Sequence, residues 1–170
     1  MEGEGFTATA KDPAMYVKSS WTSDDFAAAG FWVDDCVAID SRRELESLAK
    51  GVDAKYGITG LGEVQWALGM LLERDHSART ISISQEASID SILARFNLTN
   101  AITVSTPLAP GTQLSMADCP TSKDEIVEMA TRPYRELIGA LVWLALGARP
   151  DIAFATSQLA HFSHYPGRVH

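Results

Sequence analysis

Two adjacent carboxylates, Asp34 and Asp35, interrupt an apolar run that extends from Phe26 to Val33 and resumes from Cys36 to Ile39. Two turn-forming acids between two apolar runs are the pattern of a β-hairpin with the acids at its tip. Neighbouring side chains on a regular strand point to opposite faces. At a tip the backbone turns, and both carboxylates can reach one exposed point. Such a pair suits a hard cation, because Mg²⁺ takes one or two carboxylates and completes its shell with water and substrate phosphates. Two-metal phosphoryl transfer uses that arrangement: one ion activates the attacking oxygen and the other stabilises the leaving group. Asp is equally a good turn residue for purely local reasons, so the dipeptide by itself reads either as a metal site or as a turn.

Other candidates carry less chemistry. Gly69 lies inside the apolar run Trp66-Ala67-Leu68-Gly69-Met70, where an interior strand glycine marks a bulge or a close backbone approach by a ligand. His161 and His164 have the spacing to touch a metal, but no Cys or acid stands at zinc-ligand spacing, so they read as helix-surface histidines. Cys36 reads as a small buried hydrophobe, and Trp66 and Trp143 as core. Neither a G-x-S-x-G elbow nor a G-x-x-x-x-G-K loop occurs.

The elements that must position these residues follow from periodicity. Ala14 to Lys18 reads as a strand before the Asp34–Asp35 hairpin. Ser41 and Glu44 form a capping box for a helix that runs toward Tyr56 and stops at Gly57. Trp66–Glu73 and Arg79–Ser84 read as two strands joined by a polar turn over 75–78. Ile89, Ile92, Leu93 and Phe96 make one helical stripe. Prolines and Ser/Thr between Thr103 and Pro133 indicate a long linker. Two helices close the chain, through Tyr134–Val142 and Ile152–Phe162, with Pro133 and Pro150 placed to begin them.

Composition narrows the class. The chain has 170 residues, 46% apolar and 21% charged, with a net charge of -8, which is ordinary globular composition and excludes wholesale disorder. An acidic start is not a secretory signal. The longest apolar stretch, Leu137 to Ala148, falls short of the ~20 residues that span a bilayer. Two cysteines are too few for a disulfide framework, so a reducing, intracellular setting (cytoplasm or nucleus) is expected, with no membrane partner. Charge alone argues against nucleic acid, yet its distribution is directional. Residues 1–40 carry eight acids against Lys11 and Lys18, whereas from Met129 onward four arginines outnumber Glu136 and Asp151.

Taken in order, the segments resemble copia-type LTR-retrotransposon reverse transcriptases. Phe31-Trp32-Val33-Asp34-Asp35 matches their aromatic-Val-Asp-Asp hairpin, and Asp12-Pro13-Ala14-Met15-Tyr16-Val17 matches the strand upstream of it. Leu61-Gly62-Glu63 with Leu68-Gly69-Met70, then Ile81-Ser82-Ile83-Ser84-Gln85 and Ile92-Leu93-Ala94-Arg95-Phe96-Asn97, match the middle of the domain. Val104-Ser105-Thr106-Pro107-Leu108, Tyr134-Arg135-x-x-Ile138-Gly139-x-Leu141 and Arg149-Pro150-Asp151-Ile152-Ala153 match its later part. The resemblance covers nearly the whole chain. It departs at Trp32, where the family usually has Tyr, and at Ala148, where it usually has Thr.

The resemblance implies an α+β fold: a partial reverse-transcriptase palm of antiparallel β-hairpins plus a helix, followed by a helical thumb and connection lobe. Residues 1–83 would be palm, 84–102 a thumb-like helix, 103–133 a linker and 134–170 a helical hairpin. Asp34 would be the principal Mg²⁺ (or Mn²⁺) ligand and catalytic residue, with Asp35 its partner. Leu68, Gly69 and Met70 would position the primer 3′ end. Arg132, Arg135 and Arg149 would contact backbone phosphate, with surface pairing to Glu136 and Asp151 as the alternative. The implied partners are an RNA or DNA template–primer, a dNTP, and the fingers, remaining palm and RNase H regions of a polyprotein. The family's upstream catalytic carboxylate segment and its RNase H sequence have no counterpart in these 170 residues, so little polymerase activity is expected of them alone. A non-catalytic nucleic-acid- or protein-interaction module is the other reading, and exposed sheet edges predict self-association.

Overall fold

A computed structural model describes residues 5–19, 26–33, 35–39, 42–60 and 62–170. The fold is α+β, as expected, with antiparallel hairpins and a helix preceding a helical lobe. The chain divides into two compact units, Met1–Ala67 and Leu68–His170.

In the first unit the elements are β1 (Thr7–Ala8), β2 (Met15–Ser19), β3 (Phe26–Trp32), β4 (Asp35–Ile39), α1 (Arg42–Tyr56) and β5 (Trp66–Ala67). The first four strands form an antiparallel sheet in the order β1-β2-β3-β4. Small residues at Ala27 and Ala29 alternate with the opposite face, and α1 lays Leu48 and Val52 against them. Phe6, Tyr16, Phe31 and Ala38 complete this core, with Tyr16 meeting Phe31 edge to face at 5.7 Å between ring centroids. Helix α1 ends where Gly57 takes φ +65°, its N–H donating to Asp53 O at 2.9 Å while the Asp53 carboxylate accepts from Ile58 N–H at 3.0 Å. Ser41, the expected cap at the other end, lies outside the described residues.

The second unit contains β6 (Met70–Asp75), β7 (Thr80–Ser84), α2 (Glu86–Arg95), α3 (Lys123–Ala130), α4 (Tyr134–Leu146) and α5 (Ala153–Ala160). The second sheet has the order β5-β6-β7. The single strand expected over Trp66–Glu73 is broken: Leu68 and Gly69 form a two-residue turn between β5 and β6, with φ +51° and +73°. Positive φ at both central residues is the type I′ pattern, which suits the twist of a tight hairpin. Gly69 accepts that conformation without strain; Leu68 does not.

The stretch 103–133, expected as a linker, holds a short 3₁₀ turn at Met116–Asp118 and the helix α3. Its reason is local: Ser122 Oγ accepts from Glu125 N–H at 3.2 Å, and the Glu125 carboxylate accepts from Ser122 and Thr121 N–H groups. Those backbone donors hold the Glu125 pKa below its ordinary value.

Helices α4 and α5 pack as a hairpin that buries Ile138, Leu144, Ala155 and Thr156, with Phe162 just beyond α5. Tyr134 Oη donates to Leu159 O at 2.9 Å, and burial raises the Tyr134 pKa. Pro133 precedes α4 rather than entering it, and Pro150 opens a 3₁₀ turn before α5. Among the described residues no helix is long and apolar enough to cross a membrane.

Candidate functional site

The hairpin of β3 and β4 closes with Trp32 opposite Asp35, and Val33 follows Trp32 as a turn residue. Directly opposed residues share a face, and alternation carries that face along each strand. Asp35 therefore stands with Trp32, Val37, Ile39 and Met15 on the side of the sheet away from Leu48 and Val52, and all five are exposed. Trp32 is 64% accessible and Val33 88%, and Val33 has φ +54°. A β-branched residue in the left-handed region is disfavoured and persists where surrounding structure imposes it. Asp34 lies outside the described residues.

The donor chemistry at Asp35 fits a hard cation. Its carboxylate is exposed, has no hydrogen-bond or ion-pair partner among the described residues, and one or two such oxygens suffice for Mg²⁺. Among the described residues no cluster of three or more His, Cys, Asp or Glu forms a ready-made metal cage. His161 and His164 do not provide one: His164 Nδ1 is 3.1 Å from the Arg135 guanidinium, and its ring lies edge to face on Tyr165.

Several sequence expectations need correction here. Cys36 is exposed as a residue instead of buried, although neighbouring atoms desolvate its thiol enough to raise its pKa. The residue sits at an open sheet edge, so a partly covered sulfur and an accessible side chain coexist. Trp66 and Trp143 are not core; they are 56% and 40% accessible. Sequence hydrophobicity could not distinguish them from buried aromatics, because both lie in apolar runs.

At the second expected site, Leu68 and Gly69 form the exposed tip between β5 and β6, and Met70 begins β6. A Cβ on Gly69 would meet Ser88 Oγ at an ordinary 3.9 Å, so the glycine answers to backbone conformation rather than to crowding. Ser88 Oγ donates to Gly69 O at 3.2 Å. No motif in the sequence singled out Ser88, and a serine near a helix start carries no signal of so distant a partner.

The three arginines are all engaged. Arg149 grips Asp151 through two parallel bonds of 2.9 and 2.7 Å, which raises its own pKa and lowers that of Asp151. Arg135 Nε donates to Ser163 O at 2.7 Å. Arg132 stands 3.9 Å from the Glu128 carboxylate, which also pairs with Arg168. Glu136, considered as a partner for these arginines, pairs instead with Arg95. Of the three, Arg132 has the loosest partner and is the most open to a phosphate.

The chain is similar over its whole length to a retrovirus-related Pol polyprotein from transposon TNT 1-94 of Nicotiana tabacum, at 34% identity across 13% of that protein. It is also 27% identical to the transposon RE1 Pol polyprotein of Arabidopsis thaliana, over 98% of the chain and 11% of the relative. A transposon Ty5-1 protein of Saccharomyces cerevisiae is 28% identical over 98% of the chain and 51% of its own length. The homologues are thus retrotransposon Pol polyproteins, and the chain spans about half of the yeast relative and a far smaller part of the two plant ones. No family model matches the chain, and no solved structure matches it.

Proposed function

We propose that the chain is the C-terminal palm and thumb portion of a copia-type reverse transcriptase, whose parent reaction transfers a nucleotide from a dNTP to a primer 3′-OH on an RNA or DNA template. The observation that carries this reading is the β3–β4 hairpin: Trp32 paired with Asp35 holds an exposed carboxylate, unpartnered among the described residues and next in sequence to Asp34, within a chain aligned over its whole length with part of a transposon Pol polyprotein. Asp34 and Asp35 would hold Mg²⁺ or Mn²⁺, and such ions supply charge stabilisation to the transferring phosphoryl group. Leu68, Gly69 and Met70 would position the primer end, Trp32 would neighbour the template or incoming nucleotide, and Arg132 would contact backbone phosphate ahead of Arg135 and Arg149.

A Mn²⁺ titration followed by NMR tests the metal assignment. Saturable broadening of the amides around residues 32–36 is expected, and its loss in Asp34→Asn/Asp35→Asn. Absence of a saturable site reduces the hairpin to an ordinary turn and removes the reading.

A second reading, self-association, draws on a specific observation. Strand β4 ends the sheet order, and its Val37 and Ile39 are exposed beside Trp32 and Met15. Light scattering that returned only monomer mass at high concentration would dismiss it.

A further inference from the structure

We propose that Ser88 is a positioning residue for the Leu68–Gly69 tip, a role that rests on reading this tip as the primer-positioning element. The tip's own sequence does not encode its shape. Two-residue hairpins of this kind favour Asn-Gly or Asp-Gly, whereas here an apolar leucine occupies the first left-handed position at φ +51°. The strand leading into it, β5, is only two residues long. The hold comes from outside the turn, where Ser88 Oγ donates to Gly69 O at 3.2 Å.

Ser88 can serve as an anchor because α2 is itself seated. Gln85, 2% exposed at the start of α2, accepts from Ala148 N–H at 2.7 Å and reaches Trp143 O at 3.5 Å, so its amide satisfies the C-terminal end of α4. At the far end of α2, Arg95 pairs with Glu136 of α4. Gly147 leaves the space Gln85 needs, since a Cβ there would overlap the Gln85 amide. Helix α2 is thereby tied to α4 at both ends, and Ser88, one turn beyond Gln85, passes that fixity to the tip. Leu68, 43% exposed, is held where a bound strand end could meet it. A positioning element needs such a supporting shell, because small misplacements are costly at a reacting centre.

The test compares wild type with Ser88→Ala, Ser88→Thr and Leu68→Asp in the full 170-residue chain. Binding of a fluorescent RNA/DNA template–primer duplex is read by anisotropy, and amide exchange is read at 68–70. Ser88→Ala is expected to weaken duplex binding about 2- to 10-fold, the range of one lost hydrogen bond. It should also speed exchange at Gly69 and Met70 with the melting temperature unchanged, and Ser88→Thr should restore both readouts. Unchanged exchange and affinity in Ser88→Ala, beside lost affinity in Leu68→Asp, overturns the proposal and leaves the reading of the tip intact. Leu68→Asp that binds as tightly as wild type overturns the reading of the tip, and the positioning role with it.

Discussion

Strand β6 ends in two turns built on opposite principles. After Asp75, four residues return the chain to Thr80, and the Asp75 carboxylate accepts from Ser77 N–H at 2.8 Å, Ser77 Oγ at 2.6 Å and Ala78 N–H at 2.9 Å. That turn is satisfied by its own side chains and needs nothing remote. Before Met70, the Leu68–Gly69 turn has no polar side chain to close it and takes its support from Ser88, 19 residues further on. The first turn is a local object. The second exists as a consequence of how α2 is seated on α4. A tip held from outside can be aimed by the rest of its lobe, which is what a positioning element requires.

The two turns part most widely when Gln85 is removed. Gln85→Ala removes a buried side chain and strips the half-buried Ala148 N–H of its acceptor, and should cost about 1–3 kcal/mol by chemical denaturation. It should loosen the 68–70 tip in amide exchange while leaving the 75–80 turn as in wild type. Equal loosening of both turns would show that they share one support.

A gentler change sharpens the contrast from the other side. Leu68→Gly removes left-handed strain worth about 1–2 kcal/mol in a non-glycine residue, against about 0.5–1 kcal/mol of added chain entropy. A net stabilisation of between about 0 and about 1.5 kcal/mol follows, and in that background Ser88→Ala should disturb the tip less.

Acid probes the self-contained turn, and its effect is the smallest. The Ser77 hydroxyl first, then the Ala78 and Ser77 N–H groups, hold the Asp75 pKa below its ordinary value. The folded state binds this proton less readily than the unfolded chain. Its contribution is therefore complete above the ordinary carboxylate range near 4, and it fades as pH falls through the lowered pKa. Asp75→Asn cannot titrate, so thermal melts should separate it from wild type near about pH 6 and draw the two together as pH falls through the lowered Asp75 pKa. A constant difference down to acid well below the ordinary carboxylate range would remove the carboxylate from the turn's stability. Glu125 at the start of α3 follows the same sign.

Legibility tracked the range of each interaction. The β3–β4 hairpin could be read because two acids punctuate two apolar runs, but its register could not: Val33 leaves the strand as a turn residue and Asp35, expected at the tip, opens β4 opposite Trp32. The end of α1 at Gly57 and the helical course of α2, α4 and α5 were equally local. Helix α3 was hidden although its Ser122–Glu125 capping box was written in the chain, because prolines and hydroxyl residues around it outweighed eight helical residues. The Leu68 turn was read as strand because leucine beside Trp66 and Met70 gives no turn signal.

By itself, then, the sequence determined the α+β class, the β3–β4 hairpin, and the faces that strands and helices present, since these follow from φ/ψ preferences and from periods of 2 and 3.6 residues. The tertiary structure alone decided which turn leans on Ser88, which helix end Gln85 completes, which aromatics stay in water, and that Glu136 takes Arg95. Such partners lie up to 63 residues apart. No local preference selects them; they are fixed only when packing has set the distance between chain segments that are independent in the unfolded state.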